Sequence, residues 1–164
     1  MGTKITANIQ KKELLKQFNQ LISEKFEAKF YDLITWRIAF MLSLKNGITE
    51  QDLKDRYSSD GIGHQNISQD PASIADEDTK LIFINLLSIM HNRKVDMKDD
   101  FTEMLKLHCR HGFDILQNDI EDIGINDNII DFFINQLDVP KNESSTNDNI
   151  NKDVHLIEKF KKAL

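Results

Sequence analysis

A chain of 164 residues with 40% hydrophobic content, two prolines and six glycines suits one domain with at most an appendage, and excludes a β-sandwich and wholesale disorder. The single cysteine, Cys109, excludes an internal disulfide and fits a reducing compartment. The net charge of −6 argues, taken alone, against a nucleic-acid binder. Its distribution argues otherwise. Residues 1–47 carry eight basic side chains (Lys4, Lys11, Lys12, Lys16, Lys25, Lys29, Arg37, Lys45) against four acidic ones (Glu13, Glu24, Glu27, Asp32), leaving −10 on the remainder. A basic head on an acidic body can grip phosphates; the bland alternative is a solvated lysine-rich face. No apolar run approaches the ~18 residues of a membrane span, and the first residues lack the apolar stretch of a signal peptide. A cytoplasmic protein without a membrane partner is therefore expected.

Residues 3–9 alternate, with Ile5, Ala7 and Ile9 on one side and Lys4, Thr6 and Asn8 on the other, the period-two pattern of a half-buried strand. A lone strand leaves its backbone groups unpaired, so a partner strand is needed, and a second copy of the chain would supply one. Residues 10–25 predict a helix with Leu14, Leu15, Phe18, Leu21 and Ile22 on its inner face and Lys11, Lys12 and Lys16 off it. Residues 30–45 predict a second helix, apolar enough to be buried on most sides, stopped by Lys45-Asn46-Gly47.

Residues 48–77 read as mostly irregular, with one capped helical turn at 49–52 and turns at Asp60-Gly61 and Asp70-Pro71. The apolar run 81–90 predicts a buried helix opened by Asp76-Glu77-Asp78. Another helix is predicted over 99–118, where Gly112 costs about 1 kcal/mol unless a second element packs closely against it. A short helix over 126–137, a polar linker over 139–150 and a weak terminal helix complete the chain. The expected organisation is a helical domain over 1–125 and a C-terminal extension over 126–164.

No constellation announces catalysis. His108 and His111 lie one turn apart and could face one ion, but further ligands are missing nearby and His91 would have to be recruited by folding. Adjacent helical residues point apart, which counts against a Cys109–His108 nucleophile. Asp96, Asp99, Asp100 and Glu103 form a solvated, acidic helix start rather than a cation site, and Asp60-Gly61-Ile62-Gly63 lacks the lysine of a phosphate loop. No metal, no cofactor and no enzymatic activity are expected.

Two segments carry a resemblance. Trp36-Arg37-Ile38-Ala39-Phe40-Met41-Leu42-Ser43-Leu44-Lys45-Asn46-Gly47 and Leu105-Lys106-Leu107-His108-Cys109-Arg110-His111-Gly112-Phe113-Asp114-Ile115-Leu116 resemble the second-helix and closing-helix signatures of the DndE family of bacterial DNA phosphorothioation proteins. With the Asp60-Gly61 turn and the run 81–90 in order between them, the resemblance covers about residues 5–118. It implies a mainly α fold whose N-terminal strand and two helices are related to the ribbon-helix-helix unit. It also implies a homotetramer that binds duplex DNA, preferably nicked, through surface lysines. The implied partners are a sulfurtransfer enzyme and an ATPase. The extension after residue 125 and the acidic total depart from the family pattern. The candidate DNA-binding lysines, chosen from the basic head, are Lys4, Lys11, Lys12, Lys16, Lys25 and Lys29. Two other readings stand beside this one. A ribbon-helix-helix regulator would read the major groove with Lys4, Thr6 and Asn8. A scaffold subunit of a defence system would bind only protein.

Overall fold

The computed structural model describes residues 4–26, 31–57 and 66–123. The chain divides into two compact units, residues 1–133 and 134–164, and every described residue lies in the first. Lys29, the Asp60-Gly61 turn and all expectations for residues 126–164, with the boundary at 125/126, lie outside the described residues.

The fold is mainly helical with a short two-stranded antiparallel sheet, and the N-terminal order is strand, helix, helix, as expected. Strand β1 (Ile5–Asn8) buries Ile5 and Ala7 and exposes Asn8, which is the alternation its sequence carries. It is followed by α1 (Lys12–Phe26) and α2 (Tyr31–Lys45). Leu15, Phe18 and Ile22 are the buried stripe of α1, with Leu14 and Leu21 packed partly against the same core. Trp36, Ala39, Phe40 and Leu42 bury most of α2. Gly47 takes a φ of 69°, the left-handed cap that Lys45-Asn46-Gly47 foretells.

The described parts of the segment 48–77 hold more regular structure than its composition suggests. They comprise α3 (Glu50–Tyr57), strand β2 (Asn66–Gln69) and the single turn α4 (Pro71–Ile74). β2 pairs antiparallel with β1 in the register Ile5↔Gln69, Thr6↔Ser68, Ala7↔Ile67, Asn8↔Asn66. The partner of β1 is therefore a strand of the same chain, not of a second copy. Local pattern could not show this: Asn66-Ile67-Ser68-Gln69 has one apolar residue, and its strand state comes from hydrogen bonds to a segment far away in sequence.

Two aspartates start the next helices. Asp70 accepts from the Ala72 amide at 2.9 Å, and Asp76 accepts from the Thr79 amide and hydroxyl at 3.0 and 2.6 Å. Helix α5 (Glu77–Met90) follows Asp76 and buries Phe83, Ile84 and Leu87. It is not buried all round, contrary to the reading of its apolar run: Leu81, Ile82 and Ile89 are 54%, 57% and 79% exposed. At ~100° per residue these three fall on one face, opposite Phe83, Ile84 and Leu87. Helix α6 (Asp99–Ile123) is five residues longer than its periodicity indicates and forms the spine of the core.

The two segments that carry the family resemblance lie on α2 and α6, whose contact is the most extensive in the fold. Trp36 meets Phe113 edge to face with centroids 4.7 Å apart. Gly112 meets the Ala39 backbone so closely that a Cβ built on Gly112 falls 1.7 Å from the Ala39 carbonyl oxygen. Between α2, α5 and α6 a polar seam runs through this apolar contact. Ser43 Oγ lies 2.7 Å from His108 Nδ1 and 2.9 Å from His111 Nδ1, and His108 Nε2 lies 2.9 Å from His91 Nε2.

Candidate nucleic-acid interface

The corner between β1 and α1 decides where the basic residues point, and α6 holds that corner. Gln117, nearly fully buried, accepts through Oε1 from the backbone amides of Gln10 and Lys11 at 2.7 and 3.0 Å, and donates through Nε2 to the Asn8 and Phe113 carbonyls. A helix start normally leaves its first amides unsatisfied; here a side chain from the last described helix takes the two amides that lead into α1. Arg110 completes the anchorage, donating to the Thr6 carbonyl and hydroxyl and to the Tyr57 carbonyl.

The candidate lysines are distributed unequally. Lys12 and Lys16 are exposed, one turn apart on α1, so they share a face. With Gln20 and Ser23 they line a groove of ≈ 510 Å³ whose far side includes Asp32 and Ile67. Lys11 is partly buried in an ion pair with Glu121, so its charge is already matched. Lys25 is exposed at the far end of α1, about 180° around the helix from Lys16 at ~100° per residue. Lys4 is exposed just before β1. The structure thus brings together Lys12 and Lys16 and sets Lys11, Lys25 and Lys4 apart from them.

A second cavity of ≈ 270 Å³ adjoins the groove and shares Leu15, Asn19, Asp32 and Ile67 with it; Thr35, Trp36, Ser68, Gln69 and Phe113 complete its lining. Thr35 donates to Asn19 Oδ1 at 2.5 Å, which turns the Asn19 amide nitrogen toward Asp32 Oδ1, 3.4 Å away. These residues carry no motif. Asn19 sits on the polar face of α1, and β2 becomes a wall only through pairing with β1.

The other candidate chemistries resolve into structural roles. Burial raises the Cys109 thiol far above its ordinary range, which holds it protonated against the core. His91 is indeed brought to His108, but the Nδ1 atoms of His108 and His111 both face Ser43, and among the described residues no group of three or more His, Cys, Asp or Glu is arranged to hold a metal. Asp100 receives a two-pronged contact from Arg93 at 2.6 and 2.8 Å, and Arg93 also donates to Glu50 at 2.6 Å. The Arg93 guanidinium holds both carboxyls down at about 2. Arg37 is spent on the Ile74 carbonyl and Asp76.

Among the described residues no helix is long and apolar enough to cross a membrane. What the fold and groove define is a small, mainly helical unit with a short antiparallel ribbon and a lysine-edged cleft. No family model, no curated protein and no solved structure matches the chain.

Proposed function

We propose that this chain is a DNA-binding accessory subunit of a bacterial DNA phosphorothioation system, acting in the cytoplasm on duplex DNA and preferring a nicked duplex. The observation that carries the reading is the pair Lys12 and Lys16, exposed side by side on a helix whose start is clamped by Gln117. Lysine–phosphate contacts position a protein without reading bases, and a rigid helix sets the spacing. The resemblance to the DndE family gains support because its two segments, distant in sequence, are the two sides of one packed interface, joined by Ser43–His108 and by Gly112 against Ala39. A nick is a flexible joint, so a protein that bends or opens the duplex meets less deformation energy there.

The test is binding of the purified protein to nicked and intact duplexes of one sequence across a salt series. Tighter, salt-sensitive binding to the nick is expected. In Lys12→Glu/Lys16→Glu, two lost phosphate contacts should lower the slope of log K against log salt by about 2. An unchanged slope would sink the assignment of these residues.

The exposed stripe of α5 supports a homo-oligomer, a tetramer by the resemblance, and leaves room for the sulfurtransfer enzyme and the ATPase as protein partners. Asp76, Glu77 and Asp78 stand at one end of this helix and Arg93 and Lys94 just past the other. Two copies pairing antiparallel about Asn85 bring Leu81 to Ile89 and set unlike charges opposite each other. In sedimentation, Leu81→Asp/Ile89→Asp should run as a smaller species than the parent protein; identical sedimentation of the two would remove α5 from the interface. The same stripe favours, as a second reading, a scaffold that binds protein alone; it predicts partner binding that survives the lysine reversals. The strand-reading regulator is disfavoured, because Thr6 is held by Arg110 and β1 is already paired within the chain.

A further inference from the structure

We infer that the cavity between α1, α2 and β2 is a nucleobase site, receiving one unpaired base while Lys12 and Lys16 hold the phosphate attached to it. The inference rests on the DNA-binding reading and deepens it by naming what part of the nicked duplex enters the groove.

The chemistry of the cavity is divided along its length. Where the cavity meets the groove, a fixed donor stands beside a fixed acceptor, since Asn19 and Asp32 line both. Thr35 occupies Asn19 Oδ1 at 2.5 Å and so commits the Asn19 amide to presenting its N–H₂ group. Asp32, exposed on the first turn of α2, presents carboxylate oxygens next to it. Their mutual contact, at 3.4 Å, is at the long limit of a hydrogen bond, so a ligand can replace it at little cost. An amide donor beside a carboxylate acceptor matches the acceptor-plus-amino edge that adenine and cytosine display. Leu15, Ile67, Trp36 and Phe113 give the cavity its apolar lining. Extruded bases are held in this manner, by hydrogen bonds to an edge and apolar contact with their faces.

At the outer end the cavity opens into the larger groove, where Lys12 and Lys16 stand. Asn19 and Asp32 thus stand at the junction, with Trp36 and Phe113 on the cavity side for a base and Lys12 and Lys16, beside Glu24, on the groove side for its phosphate. The volume of ≈ 270 Å³ has room for one heterocycle. A base flanking a strand break has lost covalent continuity on one side and unstacks at the lowest cost. A site of this shape then gives a physical origin for preferring a nick over intact duplex.

The base could come from a frayed end at the nick or from a free mononucleotide, and the experiment separates these sources. The chain has one tryptophan, Trp36, which lines the cavity, so its emission reports occupancy. Three ligands are titrated: a nicked duplex, the same duplex with abasic sugars flanking the nick, and deoxyadenosine monophosphate. The expected result is Trp36 quenching by the nicked duplex, and about tenfold weaker binding of the abasic duplex without quenching, in line with the loss of one edge contact pair. Asn19→Leu and, at an exposed position that leaves the core untouched, Asp32→Ala should weaken the normal duplex to the abasic level and leave the abasic duplex unaffected. Equal affinity for normal and abasic nicked duplexes, with Trp36 unquenched by either, overturns the inference while leaving the DNA-binding reading intact. If neither duplex binds, that reading fails, and the mononucleotide decides: quenching by it that Asp32→Ala abolishes keeps the cavity as a nucleotide site, and no quenching removes it.

Discussion

Replacing Gly112 with alanine is expected to destabilise the protein by about 3 kcal/mol or more, read as the shift of the denaturant midpoint at constant m value. Two effects oppose each other. Alanine is favoured over glycine inside a helix by about 1 kcal/mol, and Gly112 lies in the middle of α6. Against this, the added Cβ falls 1.7 Å from the Ala39 carbonyl oxygen, 2.3 Å from its carbon and 2.9 Å from its Cα. All three are backbone atoms of α2, which cannot rotate aside as a side chain would. Relief requires moving two helices apart and opening the contact of Trp36 with Phe113. Steric exclusion therefore wins. The clash is with backbone, so Ala39→Gly should not rescue the variant, whereas a side-chain clash would be rescued. A stable Gly112→Ala protein would refute the close crossing.

The second large effect is acid sensitivity from the seam of three histidines. Ser43 has one hydroxyl proton and faces two imidazole Nδ1 atoms, so it donates to one and accepts from the other. With all three rings neutral, two arrangements satisfy every contact. In one, His111 Nδ1–H donates to Ser43, Ser43 donates to His108 Nδ1, and His108 Nε2–H donates to His91 Nε2; the other reverses every bond. An additional proton on His108 breaks either arrangement. Burial pushes the His108 imidazole down to about 3, helped by the neighbouring His91 and His111 rings, with only the Glu50 carboxylate opposing. Burial lowers His91 as well, against the pull of Glu50 and with the push of Arg93, and it lowers His111 between Asp114 and Arg56.

The sign follows directly. Below pH 6.5 the unfolded chain binds more protons than the folded one, so stability falls with falling pH from about 6.5 down to about 3. At about 1.4 kcal/mol for each unit of depression, His108 alone accounts for a loss on the order of 5 kcal/mol across that window. Glu50 and Asp100, held at about 2, act in the same direction but only below about pH 4.5. Comparing unfolding free energies at pH 7 and pH 5 therefore excludes Glu50 and Asp100 and reads the histidines, offset by Asp114, whose carboxyl burial raises. A pH-independent stability between 7 and 5 would contradict the buried neutral seam. His91→Gln, at the half-buried end of the chain of contacts, should reduce the His108 contribution to that slope only in part, because burial, its first cause, remains. Ser43→Ala should cost about 1–3 kcal/mol already at pH 7, because it leaves buried ring nitrogens without their partner.

Which parts of this were legible in advance depends on how local each signal is. The strand at 5–8 and the helices α1, α2 and α6 follow from periodicity in their own residues, α5 from the acidic start before its apolar run, and the caps at Gly47 and Asp76 from single residue types with known backbone preferences. Gly112 was legible as a close approach because a glycine inside an apolar helix needs a reason. Lys12 and Lys16 were legible as neighbours from their spacing of four. The pairing of Lys11 with Glu121 was not, because the partner lies on another helix; nor was the separation of Lys4 from the pair. The exposed face of α5 is not legible in the sequence, because a continuous apolar run carries no periodicity to distinguish a helix with one wet side from one with none.

The local elements and the basic head on an acidic body are set by the sequence alone. These are properties of residues a few positions apart, set by helix and strand periods, capping chemistry and charge count. Tertiary structure alone decided that β1 pairs with β2 of its own chain, that Gln117 clamps the start of α1, that His91 completes the seam of histidines, and that Asn19, Asp32 and Ile67 enclose a cavity beside Lys12 and Lys16. Each of these joins segments far apart in the chain. Such contacts depend on how buried surfaces and backbone hydrogen bonds are satisfied together, and no window of neighbouring residues contains that information.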